Sequence, residues 1–251
     1  MIDREHLSYV NNILSIDNDT VDIQPLYDIL TAIKEQDNVS FLKTIFSISK
    51  TDINIDLLLN VYDTIKKYPD LESDILDSFS NNQIKSKSRV LDLVEKHNFV
   101  NSDSEVIIIG SWYGSILIPG LASKVNRISC IDLDEQVLKI AKNRLFSEYK
   151  NIDYIAADVF EKDRERYWNA DLFINTSCEH MPPMLTFPYW PEHTNFVFTS
   201  NDMTDIEGHV NCVESMEDFK TQLPERSTVL SEDTITDERG SRFILAGKIS
   251  S

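Results

Sequence analysis

The densest group of reactive side chains in this 251-residue sequence is Asn175-Thr176-Ser177-Cys178-Glu179-His180. A carboxylate beside an imidazole can take a proton from an acceptor as its nucleophile attacks. Glu179 and His180 are therefore the candidate bases. Asn175 and Ser177 supply polar groups that can orient a substrate. The plainer alternative is that Ser177 to His180 only cap a short helix. Further on come Ser200-Asn201-Asp202 and His209-Val210-Asn211-Cys212. His209 and Asn211 alternate, so an extended segment would show them on one face, of either a pocket or a surface loop. Asn201 joins them as a candidate substrate contact. Between the two groups, four prolines fall between positions 182 and 191 and exclude a helix. Tyr189 and Trp190 there either wall a substrate pocket or pack on the core. Cys178-x-His180 and His209-x-x-Cys212 offer zinc-type ligands. The first spacing is too short for a usual knuckle and the pairs sit in separate segments, so no metal is expected.

A second set of residues lies upstream. Gly110-Ser111-Trp112-Tyr113-Gly114 follows an apolar run and precedes a helical stretch. Glycine there lets backbone approach a ligand, and a helix N-terminus offers unpaired N–H groups. Asp132 comes 22 residues after Gly110. An acid at about that distance can accept hydrogen bonds from both ribose hydroxyls of a nucleotide; it can also be a solvated acid or a cap. Asp158-Val159 either takes the amino group and face of an adenine or caps the next segment.

These residues need a scaffold that gathers them. Val106-Ile107-Ile108-Ile109 is a continuous β-branched run, as expected of a strand buried on both faces. Residues 127–132, 152–156, 171–175 and 195–199 repeat the pattern, with helical stretches at 115–124 and 137–146. Strands alternating with helices imply right-handed βαβ units and a parallel sheet. Residues 228–230 and 242–246 flank Asp237-Glu238-Arg239-Gly240 too closely for a helix, which predicts an antiparallel hairpin. In an open parallel sheet, ligands bind beyond the carboxyl ends of the strands, where every candidate above falls. The first hundred residues read as helical. Leu26, Ile29, Leu30 and Ile33 form one stripe; Leu57, Leu58, Val61, Tyr62 and Ile65 form another, stopped by Pro69. Lys85, Lys87, Arg89 and Lys96 form the one modest basic cluster. It reads as a solvated helix face, with Gln83 and Lys87 placed to close a pocket from above.

The layout resembles the class I S-adenosylmethionine-dependent methyltransferases over roughly residues 82–251. The resemblance implies a Rossmann-like α/β fold: a seven-stranded, mostly parallel sheet with a C-terminal antiparallel hairpin, preceded by a helical region over 1–81. The family's first motif, acid-x-Gly-x-Gly-x-Gly, lays its acid on Ile108 and its glycines on Gly110, Trp112 and Gly114. The acid and the middle glycine are thus replaced. The resemblance implies S-adenosylmethionine as cofactor, held by Gly110, Ser111, Trp112, Gly114, Asp132, Leu133, Asp158, Val159 and Asn175. It implies catalysis by Asn175, Glu179 and His180, with Ser177, Tyr189, Trp190, Asn201, His209 and Asn211 towards the acceptor. The family's amino-methylating members often carry Asn-Pro-Pro-aromatic after the fourth strand. Here only the Asn is kept, so nitrogen methylation does not follow. The same fold can instead transfer the aminocarboxypropyl group, or serve as an inactive binding and assembly module.

Composition bounds the partners. Twenty-four Lys and Arg against 42 Asp and Glu leave a net charge of −18. That argues against gripping nucleic acid, whose affinity rests on Lys and Arg neutralising phosphates. The expected acceptor is a small molecule or a protein side chain, and the N-terminal helices are free to dock a partner or a second copy. The start of the chain lacks a basic-then-apolar leader and no apolar stretch reaches membrane-spanning length, so a cytoplasmic protein is expected. Three cysteines give no disulfide framework. Glycine is scarce, 6 in the whole chain, and two of the six are in the candidate cofactor loop.

Overall fold

The computed structural model describes residues 55–161, 170–188 and 190–250. The stripe at Leu26 to Ile33, and Tyr189, lie outside them. The chain divides into two compact units, Met1–Ile84 and Lys85–Ser251. In the first, helix α1 (Ile55–Lys67) buries Leu57 and Val61 completely or nearly so, while Tyr62 on the same expected stripe stays exposed. Pro69 opens a short 3-10 turn just beyond it, and α2 (Glu72–Asp77) follows.

The second unit is a seven-stranded sheet. Its strands are β1 (Glu105–Ile109), β2 (Arg127–Asp132), β3 (Ile152–Ala156), β4 (Leu172–Asn175), β5 (Thr194–Asn201), β6 (Ser227–Asp237) and β7 (Gly240–Ile249). The order across the sheet is β3-β2-β1-β4-β5-β7-β6. Strands β1 to β5 are parallel, and β7 runs antiparallel to both β5 and β6. Each expected strand forms, and the hairpin turns where the Asp237-to-Gly240 segment places it. Val106 to Ile109 are all buried, because layers cover both faces of a central parallel strand. Helix α3 (Asn81–Lys96) buries Val90, Leu93 and Val94 at helical spacing. Arg89 on it pairs with Asp233 of β6.

The connections are shorter than the sequence suggests. Helix α4 spans only Leu117–Ala122. Helix α5 (Glu135–Ile140) is capped by Asp134, whose carboxylate accepts from the Gln136 and Val137 amides at 2.8 and 3.1 Å, and it passes into a π-turn at Ala141–Leu145. Two 3-10 turns, Cys178–His180 and Met184–Thr186, stand between β4 and β5. Prolines at 182, 183, 188 and 191 account for that. A short helix α6 (Met216–Thr221), not anticipated from the sequence, starts at Ser215, whose hydroxyl accepts from the Asp218 amide. No helix among the described residues is long and apolar enough to cross a membrane.

Gly247 on β7 shows how tightly the core closes. A methyl group there would strike the Thr228 carbonyl and lie 2.6 Å from the edge of the fully buried Phe196 ring. Gly247→Ala should therefore lower unfolding free energy by about 1–3 kcal/mol, the range for overpacking, read from the shift of the urea midpoint.

Candidate functional site

Parallel pairing sets Ile109 opposite both Ile131 and Asn175, and Asp132 opposite Ala156. The loops after β1 to β4 therefore emerge at one edge. β7 enters the same edge, because Arg242 pairs with Asn201 at the end of β5. Between β1 and β4 the strand order reverses, which opens a crevice there.

The loop after β1 keeps a glycine-like backbone at all three positions of the motif. Gly110 and Gly114 have φ of +59° and +69°, and Trp112 between them has +48°. Trp112 thus holds the left-handed conformation that its lost glycine would adopt, at a cost of roughly 1–2 kcal/mol for a side-chain-bearing residue. Two interactions hold it. Its amide donates to Asp132 Oδ2 at 2.7 Å, and the Lys87 ammonium lies 5.7 Å from its ring centroid. Gly110 is constrained from the other side: a Cβ would sit 3.0 Å from that of Ser177. The Ser177 hydroxyl donates to the Gly110 carbonyl at 3.3 Å. These contacts tie the β1 and β4 loops together across the crevice.

Asp132 accepts a second amide, from Asp134, at 3.0 Å on Oδ1. Each carboxylate oxygen has two lone pairs, so each keeps one for a ligand. Leu133 beside it is an apolar side chain left 74% exposed. Asp158 accepts from the Phe160 amide at 2.9 Å through Oδ1, and Val159 is buried.

After β4, Asn175 is fully buried. Its oxygen accepts from the Ser177 amide at 2.9 Å, which fixes the amide's orientation. Its nitrogen points at the sulfurs of Met181 and Met184, at 3.0 and 3.1 Å. Thioethers are weak acceptors, so this donor is poorly satisfied.

Glu179 is also buried, with 3% of its surface exposed. Its Oε1 accepts from Asn201 at 2.6 Å and lies 3.4 Å from the Arg242 guanidinium. Its Oε2 is buried, with no hydrogen-bond partner among the described residues. The Val210 and Asn211 amides, both at 2.9 Å, donate to its carbonyl and draw the 203–212 loop over it. That places the His209 ring edge-on to His180, with centroids 4.6 Å apart. His180 bonds through Nδ1 to the Gly208 carbonyl at 3.0 Å, and His209 through Nδ1 to the Met203 carbonyl at 2.8 Å. Burial pushes the His209 imidazole below its ordinary range, against the opposing pull of the Glu179 charge.

Glu179, His180 and His209 are thus brought together, with Asn201 behind the carboxylate. Asn211 turns elsewhere: it exchanges hydrogen bonds with Gln222 at 2.8 and 2.9 Å and donates to the Cys178 carbonyl. Trp190 packs its ring on Phe173, Phe187 and Phe198 and donates to the Met184 carbonyl at 3.1 Å. Cys178 is buried, and burial holds its thiol well above the ordinary range. Arg242 joins the site without any sequence motif to mark it. Its signal was a lone charge opening the apolar run Phe243 to Ala246, set opposite Asn201 by the hairpin.

No protein-family profile and no curated protein matches the sequence. Solved structures do match. An N-methyltransferase from Bradyrhizobium japonicum superposes with a TM-score of 0.55 at 17% identity, over 68% of this chain and 99% of the other. The magnesium protoporphyrin IX methyltransferase of Synechocystis, solved with bound S-adenosylmethionine, gives 0.52 at 16%, over 72% and 84%. A geranyl diphosphate C-methyltransferase from Streptomyces coelicolor gives 0.52 at 8%, over 64% and 76%. The chain therefore has the fold of the class I S-adenosylmethionine-dependent methyltransferases.

Two outcomes check the site. Trp112→Gly should be more stable than Trp112→Ala by about 1 kcal/mol in urea unfolding, because both lose the ring and only alanine keeps the strain. Lowered basicity at His209 means the unfolded chain binds more protons than the folded one. Stability should be complete above the unfolded value of about 6.5 and fall as pH drops below it. His209→Gln should make the fall from pH 7 to 5 shallower in a melting-temperature series.

Proposed function

We propose that the chain is an S-adenosylmethionine-dependent methyltransferase acting on a small molecule or a protein side chain. The observation that carries this is Asp132: a half-buried acid at the end of β2 with a lone pair left on each oxygen, beside a loop in which Gly110, Trp112 and Gly114 are all left-handed. The residues fit the cofactor. Asp132 would accept from the ribose hydroxyls, Leu133 and Val159 would flank the base, and Asp158 would accept from its amino group. Gly110, Ser111, Trp112 and Gly114 would line the amino-acid end with backbone. The Asn175 amide, resting on two sulfurs, would gain a better acceptor there.

S-adenosylmethionine supplies a methyl group on a sulfonium, which an in-line nucleophile displaces. The chain's own part is to bind, orient and deprotonate. His180 is the exposed member of its cluster, and carbonyl bonding at Nδ1 leaves Nε2 to take the acceptor's proton. Glu179 would stabilise the imidazolium so formed. Asn201 and Arg242 hold that carboxylate in place. Ser177 and His209 are the expected substrate contacts nearest the crevice.

Calorimetry with S-adenosylmethionine should show one site per chain, and saturating cofactor should raise the melting temperature. Asp132→Asn should weaken binding at least tenfold, since its nitrogen no longer accepts. Turnover should release S-adenosylhomocysteine; methylthioadenosine would instead mean aminocarboxypropyl transfer. Wild-type protein that binds no cofactor would leave the fold as a binding module.

A further inference from the structure

We propose that Glu179, His180 and His209 form a binding site for a first-row divalent transition ion of the zinc type. Each of the three offers a ligand atom within 4.8 Å of the other two. Metal–ligand bonds of about 2.0–2.1 Å put tetrahedral ligand atoms about 3.3 Å apart, so closure needs only modest side-chain rotation. His180, the exposed member, has room for it.

Three independent features favour ligation. Both imidazoles are already oriented as metal ligands are. A backbone carbonyl can only accept, so the carbonyls of Gly208 and Met203 place the proton on each Nδ1 and leave each Nε2 as a bare lone pair. Glu179 is the third donor. Asn201 and Arg242 occupy only Oε1, and Oε2 is a buried oxygen that no donor in the described structure satisfies. An unsatisfied buried carboxylate oxygen is costly, and a cation removes that cost. Finally, the ligands come from two loops already fastened together by the Val210 and Asn211 amides on the Glu179 carbonyl. The site is therefore largely pre-formed.

The ligand set differs from the cysteine–histidine pairs visible in the sequence. Cys178 is buried, and its thiol is directed to the Asn175 carbonyl; Cys212 lies against His209 Nδ1 and Asn201. Two imidazoles and one carboxylate suit zinc, cobalt or iron better than magnesium, which favours all-oxygen octahedra. Three protein ligands leave a position for water or for an oxygen of a bound molecule, on the exposed side where His180 stands.

The inference stands on this cluster and not on the cofactor reading, and a bound ion takes the place of His180 as the base, since an Nε2 that holds a metal cannot also accept a proton. The two separate in the laboratory: metal binding is measured without S-adenosylmethionine, and cofactor binding after chelation. Full-length protein is stripped with a chelator and titrated with Co2+, followed by visible absorption, and with Zn2+ by calorimetry. One ion per chain is expected, with ligand-field bands of nitrogen and oxygen coordination. His180→Ala and His209→Gln should each weaken binding at least tenfold while melting cooperatively, as neither side chain is in the core. A wild-type protein that takes up no Co2+ or Zn2+ overturns the proposal. So do variants that bind like wild type, or Mg2+ competing at equal affinity.

Discussion

Ile109 and Asn175 sit opposite each other at the ends of two parallel strands, but the chain leaves them in different directions. From β1 it crosses to β2 and β3; from β4 it crosses to β5. The backbone must part there, and the parting is the crevice. The candidate site residues are arranged around that gap. Gly110 has no side chain because Ser177 lies where one would go, and the Ser177 hydroxyl bridges back to the Gly110 carbonyl. One side of the gap then carries Asp132 and Leu133, and the other carries Asn175 and Glu179. A larger residue at position 110 would push the two loops apart and misplace both sets together.

Trp112 shows that a motif's backbone and its residue types are separable. The glycine pattern exists to permit a left-handed turn and a close approach. Here the turn survives without the glycine, at φ +48°, because Asp132 captures the Trp112 amide. The same carboxylate that would hold a ribose also holds the loop in shape. The indole is not wasted, since Lys87 approaches its face from α3. The close approach is what the substitution alters: backbone that a glycine would bare is screened on one side by an aromatic ring.

The sheet was largely legible in the sequence because burial on both faces leaves strong local marks. Val106 to Ile109 and Phe196 to Thr199 are unbroken runs with turn residues at their ends, and the strands form there. The helices were less legible. Short helical stretches such as 115–124 are trimmed in the fold to Leu117–Ala122. The site divides in the same way. Glu179 and His180 are neighbours in sequence, so their chemistry shows directly. His209 reaches them only through backbone bonds to the Glu179 carbonyl, and Arg242 only through the register of β7 on β5. Neither contact leaves a local pattern. Asn211 misleads for the opposite reason: its alternation with His209 implies one face only if the segment is extended, and the loop there is not a strand.

Glu179 is the least expected residue of the edge on energetic grounds. Taking a carboxylate out of water is expensive, and a buried pair rarely returns more than apolar packing would. Arg242, 12% exposed at its side chain, and Asn201 offset that cost at one oxygen alone. A position selected only for stability would hold an apolar residue, or would satisfy both oxygens. The half-satisfied carboxylate lies beside two imidazoles whose second nitrogens have no partner among the described residues. Unspent acceptors at three adjacent groups, on the edge where the fold collects its loops, are binding capacity that the folded chain keeps at its own expense.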